Sequence, residues 1–244
     1  MTRRMKRSIS GLVMVLMAVL FGACAEPTAK PTPDVWMEDA VPAGGTQSTS
    51  AGDVWNFVSG NPTPFSGTLA HKSENIAGLH EHWFLNATAT LQVNPGDVLY
   101  CYVFLDPTNP PQEIMLQWSN TEVGGNFPHR AYWGANQIDF GVDGTPSKRF
   151  MGALPPTNQW VRLEVPASLV GTEGKAINGM AFSLFDGVVT WDQAGKFPGK
   201  EQRAEAIITI PHLQILGDRR TAPIDARRRA LSVVVPITES FFQS

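Results

Sequence analysis

The chain has 244 residues, 43% hydrophobic and 17% charged, with 7 tryptophans and 13 phenylalanines, a content that excludes a disordered polymer. Its 22 glycines and 19 prolines follow no fixed period, which excludes collagen. Residues 24–197 hold 8 basic and 17 acidic side chains, a charge of −9 that repels a phosphate backbone and speaks against nucleic acid as a partner.

The first residues, MTRRMKRSIS, are basic, and GLVMVLMAVLF after them is apolar. Small residues follow at Gly22, Ala23, Cys24 and Ala25. This order is that of an export signal over 1–24, and the apolar run is shorter than the ~20 residues that span a bilayer. Two cleavage readings stand. Ala23-Cys24-Ala25 suits ordinary signal peptidase. Leu20-Phe21-Gly22-Ala23-Cys24 resembles a bacterial lipobox, with Phe21 in place of the usual leucine. The expectation is lipidation at Cys24 and a protein held on the membrane by that anchor. Ala25 beside the cysteine resembles lipoproteins sorted to the outer membrane, so the expected location is the bacterial cell envelope, at the outer membrane or surface. Residues 25–34, AEPTAKPTPD, read as an extended Pro-rich tether.

Residues 35–197 read as short strands between turns. DVLYCYVFL, EIMLQW, WVRLEV and GMAFSLF are apolar, aromatic and β-branched runs of strand length. Between them stand Asn94-Pro95-Gly96-Asp97, Asp106-Pro107-Thr108-Asn109, Gly124-Gly125-Asn126, Asp143-Gly144-Thr145-Pro146 and Pro155-Pro156-Thr157-Asn158. Such clusters break strands and make turns. The spacing predicts an all-β fold, an antiparallel β-sandwich or barrel. PASLVGTEGKAI has room for a turn or two of helix, with Ser168 as a candidate cap. No βαβ rhythm is present, against a Rossmann or TIM-barrel enzyme. Cys101 lies in VLYCYVFL and reads as a buried core residue rather than a nucleophile.

Several phrases keep the order of a known family. They are VWMEDAVPAGG, WNFVSGNPTPFSGTLAH, AGLHEHWF, DPTNPPQEIMLQW and HRAYWGAN, then Thr157-Asn158-Gln159-Trp160, Asn178-Gly179-Met180-Ala181-Phe182 and Thr190-Trp191-Asp192. Over residues 35–197 they resemble the galactose-binding-like jelly rolls that include many carbohydrate-binding modules. They also resemble an uncharacterised module of bacterial surface and Rhs-type proteins. The resemblance implies a jelly-roll sandwich with a binding role. It also implies a structural calcium ion between acids near the first strand and an aspartate in the last, here Glu38 or Asp39 with Asp192. The Glu-x-Glu opening of the best-known calcium modules is absent.

Two constellations carry candidate chemistry. His80-Glu81-His82 places two imidazoles on one face of a strand. They suit a single metal with His71 or His129 and Glu74, or they are hydrogen-bonded histidines of a polar face. The aromatic set is Trp55, Trp83, Trp118, Tyr132, Trp133 and Trp191. Flat rings stack on the C–H faces of sugars while polar neighbours take the hydroxyls. His129, Arg130, Tyr132, Trp133 and Asn136 combine both within eight residues, with His80 and His82 as neighbours, and form the expected ligand surface. Half of a set this size belongs in the core of such a sandwich. Residues 198–244 read as a partly stranded extension with two basic clusters.

The leading expectation is a non-catalytic, lipid-anchored envelope module that binds carbohydrate, with calcium as its one expected cofactor. Two alternatives stand beside it. One is a cupin-like, metal-dependent enzyme built on His80 and His82. The other is a structural envelope protein that binds other proteins.

Overall fold

The computed structural model describes residues 32–199. The readings made of residues 1–24 and 200–244, Cys24 and the basic clusters included, lie outside them. The described strands are β1 (Asp34–Met37), β2 (Thr46–Ser50), β3 (Asn56–Val58), β4 (Ala70–Lys72), β5 (Leu79–Leu85), β6 (Leu91–Gln92) and β7 (Val98–Leu105). They continue with β8 (Glu113–Asn120), β9 (His129–Gly134), β10 (Arg149–Gly152), β11 (Trp160–Pro166), β12 (Ala176–Phe185) and β13 (Val189–Phe197). One helical turn, α1 (Ala167–Val170), lies between β11 and β12.

Two sheets stack face to face. Sheet 1 runs β11-β7-β13-β4-β3, with β1 beside the far end of β13. Sheet 2 runs β10-β9-β8-β12-β5-β2, with β6 beside the start of β12. The pairs are antiparallel except β9 with β10, which is parallel. This is the expected jelly-roll β-sandwich. The strand-length runs fold where expected, because each offers an apolar face every second residue. Ser168 does not cap α1. Pro166 stands at the cap with no side-chain bond, and Gly171 closes the turn at φ 69°.

The core fills the space between the sheets. Leu99, Cys101, Val103 and Leu105 of β7 face Ile114, Leu116 and Trp118 of β8 and Phe182 and Leu184 of β12. Trp118 and Trp191 are sealed among the largest buried side chains. Burying such a side chain contributes about 1.5–3 kcal/mol. Cys101 is wholly buried, as expected, and burial pushes its thiol well above its ordinary value.

Turns are set by local chemistry. Asp186 and Gly187 between β12 and β13 take φ 60° and 73°. A Cβ on Gly187 would sit 2.5 Å from the Asn109 carbonyl, so only glycine fits there. At the opposite end, Asp97 is buried and accepts bonds from Asn94 N, Gly199 N and the Lys196 ammonium at 2.7 Å. Lys196 is itself buried, so removing its partner strands a charge. Asp97→Ala is expected to lower the unfolding free energy by about 3–5 kcal/mol. Urea melts measure it, and a loss below about 1 kcal/mol would show that Lys196 reaches water instead.

Candidate functional site

β5 carries the site on one side and a buried cluster on the other. His80, His82 and Phe84 point between the sheets and are wholly buried. By alternation Leu79, Glu81, Trp83 and Leu85 point to the outer face of sheet 2, each half-buried. Register then builds rows across that face. One row is Ser48, Trp83, Ala181, Gln117 and Arg130. The next is Ser50, Glu81, Ser183, Met115, Tyr132 and Phe150.

A hydrogen-bonded band joins these rows. Arg130 Nε donates to Gln117 Oε1 at 2.6 Å. Gln117 Nε2 donates to Ser183 Oγ at 2.7 Å and to Glu81 Oε2 at 3.1 Å. Ser183 Oγ donates to Glu81 Oε2 at 2.6 Å. Four strands are thereby bridged, with Glu81 and Arg130 partly exposed at either end. Trp83 pairs in register with Ala181, which is buried, and keeps part of its own ring exposed. The face thus offers one partly exposed ring, Trp83, with the charged groups of Glu81 and Arg130 partly exposed near it, held in place by Gln117 and Ser183, which are themselves buried.

The other half of the face is covered. Residues 135–148 fold over Met115 and Tyr132, with Ile138 and Phe140 packed on them. Glu113 Oε2 accepts the amides of Gln137 and Ile138. Lys148 Nζ donates to the Ile138 carbonyl and sits 5.4 Å from the Tyr132 ring centroid. Tyr132 donates to Asp143 at 2.9 Å. Burial raises the Glu113 carboxyl, against the amides that lower it.

The structure therefore rearranges the expected ligand surface. Tyr132 does lie on the outer face, but residues 135–148 cover it to 2% exposure. Trp133 turns into the core, because its strand neighbours alternate about it. His129 is buried and bonds the Val170 carbonyl at 2.6 Å, with its basicity lowered chiefly by burial. Asn136 is exposed, and Arg130 joins the band. Trp83 stands in the aromatic set and Glu81 in the His80-Glu81-His82 run, but neither has a place on the expected ligand surface, and Gln117 and Ser183 are not singled out at all. The signal that finds them is the period of two in His-Glu-His-Trp, since histidines facing in leave Glu81 and Trp83 facing out.

His80 and His82 are not an accessible metal pair. Their Nδ1 atoms donate to Asp53 Oδ2 at 3.3 and 3.2 Å. His82 Nε2 lies 2.8 Å from His71 Nδ1. His71 therefore joins them, whereas His129 lies elsewhere and Glu74 contributes only its backbone N–H to Asp53. All four titratable groups are sealed at 0–2% exposure, where no substrate meets them. Among the described residues no group of three or more His, Cys, Asp or Glu is arranged to hold a metal. Burial alone would raise the Asp53 carboxyl, but the bonds from His80 and His82 outweigh it and hold it well below the usual carboxylate range.

The acids expected to hold calcium meet under residues 62–69. Asp39 accepts Thr68 N, Leu69 N and the Thr68 hydroxyl, which uses both its oxygens. Asp192 accepts Phe65 N, Ser66 N and Gln193 N. Glu38 Oε2 accepts Gln193 Nε2 at 2.8 Å, while its buried Oε1 has no hydrogen-bond donor. Burial, and then the negative charge of Glu38, raise the Asp192 carboxyl against its amide bonds. A hard cation wants just such oxygen donors. Asp39 and Asp192 both already accept three donors on their two oxygens, so Glu38 Oε1 is the one oxygen of the three acids here that is buried and without a hydrogen-bond donor.

No family model matches the sequence, and no curated protein matches it. Partial overlaps occur among solved structures. One is the glycoside hydrolase domain of Endo-D from Streptococcus pneumoniae R6, at 12% identity over 62% of this chain and 21% of that one, TM-score 0.39. A second is from a study of carbohydrate-binding modules of the β-sandwich superfamily, at 12% identity over 69% and 62%, TM-score 0.43. A third is the CBM22-1 xylan-binding domain of Xyn10C from Paenibacillus barcinonensis, at 10% identity over 69% and 97%, TM-score 0.41. The chain spans less than two thirds of the first two. Overlaps of this size say nothing about ligand or activity.

Proposed function

We propose that the chain is a non-catalytic carbohydrate-binding module that takes its ligand on the outer face of sheet 2. The observation that carries this reading is Trp83, a half-exposed indole in register with Ala181 and Gln117 and next to the Arg130–Gln117–Ser183–Glu81 band. A sugar ring stacks on the indole while its hydroxyls meet fixed donors and acceptors. Glu81 accepts and Arg130 donates, so one hydroxyl row is read at both ends. The charge of −9 over residues 24–197 favours a neutral polysaccharide over a polyanion. Affinity gels cast with xylan, β-glucan or mannan test the reading. Trp83→Ala is expected to weaken retention about tenfold, and Tyr132→Phe, altered beneath residues 135–148, to leave it unchanged. Equal retention of wild type and Trp83→Ala would reject the surface.

A structural calcium ion at Glu38 and Asp192 is part of the same proposal, supported by the donor-less Glu38 Oε1. It would neutralise the buried Asp192 carboxylate and the half-buried Glu38 carboxylate and fasten residues 62–69 to β13. With calcium near 100-fold above its dissociation constant, a chelator is expected to lower the melting midpoint by about 5–10 °C. An unchanged midpoint in EDTA would remove the ion from the proposal.

The export reading of residues 1–24 supports a place at the cell envelope through a lipid on Cys24. Cys24→Ser is then expected to move the protein from the membrane fraction to the soluble one. Membrane retention of that variant would refute the anchor.

A further inference from the structure

The most unusual feature of the core is a polar bridge between the two sheets. His71 on β4 belongs to sheet 1 and His82 on β5 to sheet 2. Their facing nitrogens are 2.8 Å apart, and both rings are sealed from water. A gap of that size holds one hydrogen. A proton on each nitrogen replaces attraction with a clash of two N–H groups and two like charges. Asp53 accepts from His82 and so accommodates one positive charge, and no second carboxylate stands among the groups described around the rings.

The bridge lies directly behind the proposed sugar surface. The Trp55 ring meets His82 edge-on at 4.7 Å and His71 at 5.2 Å. Its indole N–H donates to the carbonyls of Ser48 at 3.1 Å and Trp83 at 3.2 Å. Trp55 therefore ties the histidine pair to the β2–β5 ladder at the residue that carries the exposed indole.

We infer that His71 and His82 form an acid-operated latch behind the carbohydrate surface, opening when both rings are protonated and releasing the polysaccharide by loosening the ladder under Trp83. The inference rests on the reading of Trp83 as a ligand surface. The titratable groups facing the pair are Asp53, from the segment after β2, and His80 on β5, whose buried Nε2 has no partner. β3 and β12 present Phe57 and Phe182, which are apolar. Glu81 lies on the opposite face of β5.

Burial, and then the charge of His82, hold His71 well below its ordinary value, against a pull upward from Asp53. A histidine depressed in this way takes its proton more readily once unfolded. Its contribution to stability is therefore complete above the unfolded value of about 6.5 and is lost as pH falls below it. Acid is the releasing direction.

Two readouts test the latch. One is retention in xylan, β-glucan and mannan gels at about pH 7.5 and about pH 4, the lower value set below the ordinary histidine range because burial depresses His71. The other is the fluorescence of Trp83, taken as the difference between wild type and Trp83→Phe over the same range, with melts at each pH to exclude global unfolding. Wild type is expected to lose roughly tenfold in retention at the lower pH, and the Trp83 signal to shift with it. His71→Gln, which cannot take the second proton, is expected to keep both unchanged. Retention that is equal at the two pH values in wild type, or that falls equally in His71→Gln, would overturn the latch and leave the carbohydrate reading intact. Absence of retention at both pH values would reject the carbohydrate reading, and the Trp83 signal then decides the latch alone: a shift abolished by His71→Gln supports it, and no shift overturns it. Should His71→Gln fail to fold, His82→Gln removes the other half of the pair. Should both fail, the wild-type Trp83 signal decides.

Discussion

The two-residue alternation of β5 is the constraint on which the site depends. Phe84 must lie between the sheets because its ring is one of the largest wholly buried groups there. Once that residue is fixed, His82 and His80 follow it inward, and Trp83 and Glu81 are turned out. A slip of one residue would exchange two bonded histidines and a phenylalanine for a carboxylate and an indole. The register of β5 with β12 and of β12 with β8 then carries the same choice across the sheet, so that Gln117 and Arg130 arrive beside Trp83.

The outer face of sheet 2 is divided by what covers it. Toward the Leu79 end of β5, residues 135–148 supply a second small apolar core and seal Tyr132. Toward the Leu85 end, residues 135–148 reach the Trp83 row at Arg130, through the Phe140 ring and the Ser147 carbonyl, and Trp83 keeps part of its ring exposed. The difference lies in the cover more than in the strands. Tyr132 and Trp83 are comparable rings on the same face. Lys148, Glu113 and Asp143 bind a loop over the first, and among the described residues no such set of bonds is made over the second.

The opposite layer uses carboxylates for closure. Asp39 and Asp192 gather backbone N–H groups of residues 65–69, and Gln193 bridges Glu38 and Ser66. Gln193 reaches them because β13 is irregular between Asp192 and Ala194 and takes φ 22° at that residue. The same irregularity lets Asp192 face outward and Ala194 face the core, so the strand serves both demands.

The sequence by itself determined the class of fold. Strand-length runs such as VLYCYVFL and EIMLQW cannot bury their apolar faces except against another layer, and the Pro, Gly and Asn clusters between them admit only turns. It also determined that Cys101 lies inside, since nothing around it is polar. It named an aromatic set and a histidine pair as the places to look. Only the tertiary structure decided which members of those sets meet a ligand. Trp133 and Trp83 each follow an aromatic or imidazole ring in sequence, yet one is in the core and the other is not, because facing is set by strand register. The tie of Asp53 to His80 and His82, and of His71 to His82, joins residues from three segments. No local pattern encodes such a contact, because the energy that makes it comes from excluding water after the two sheets have closed.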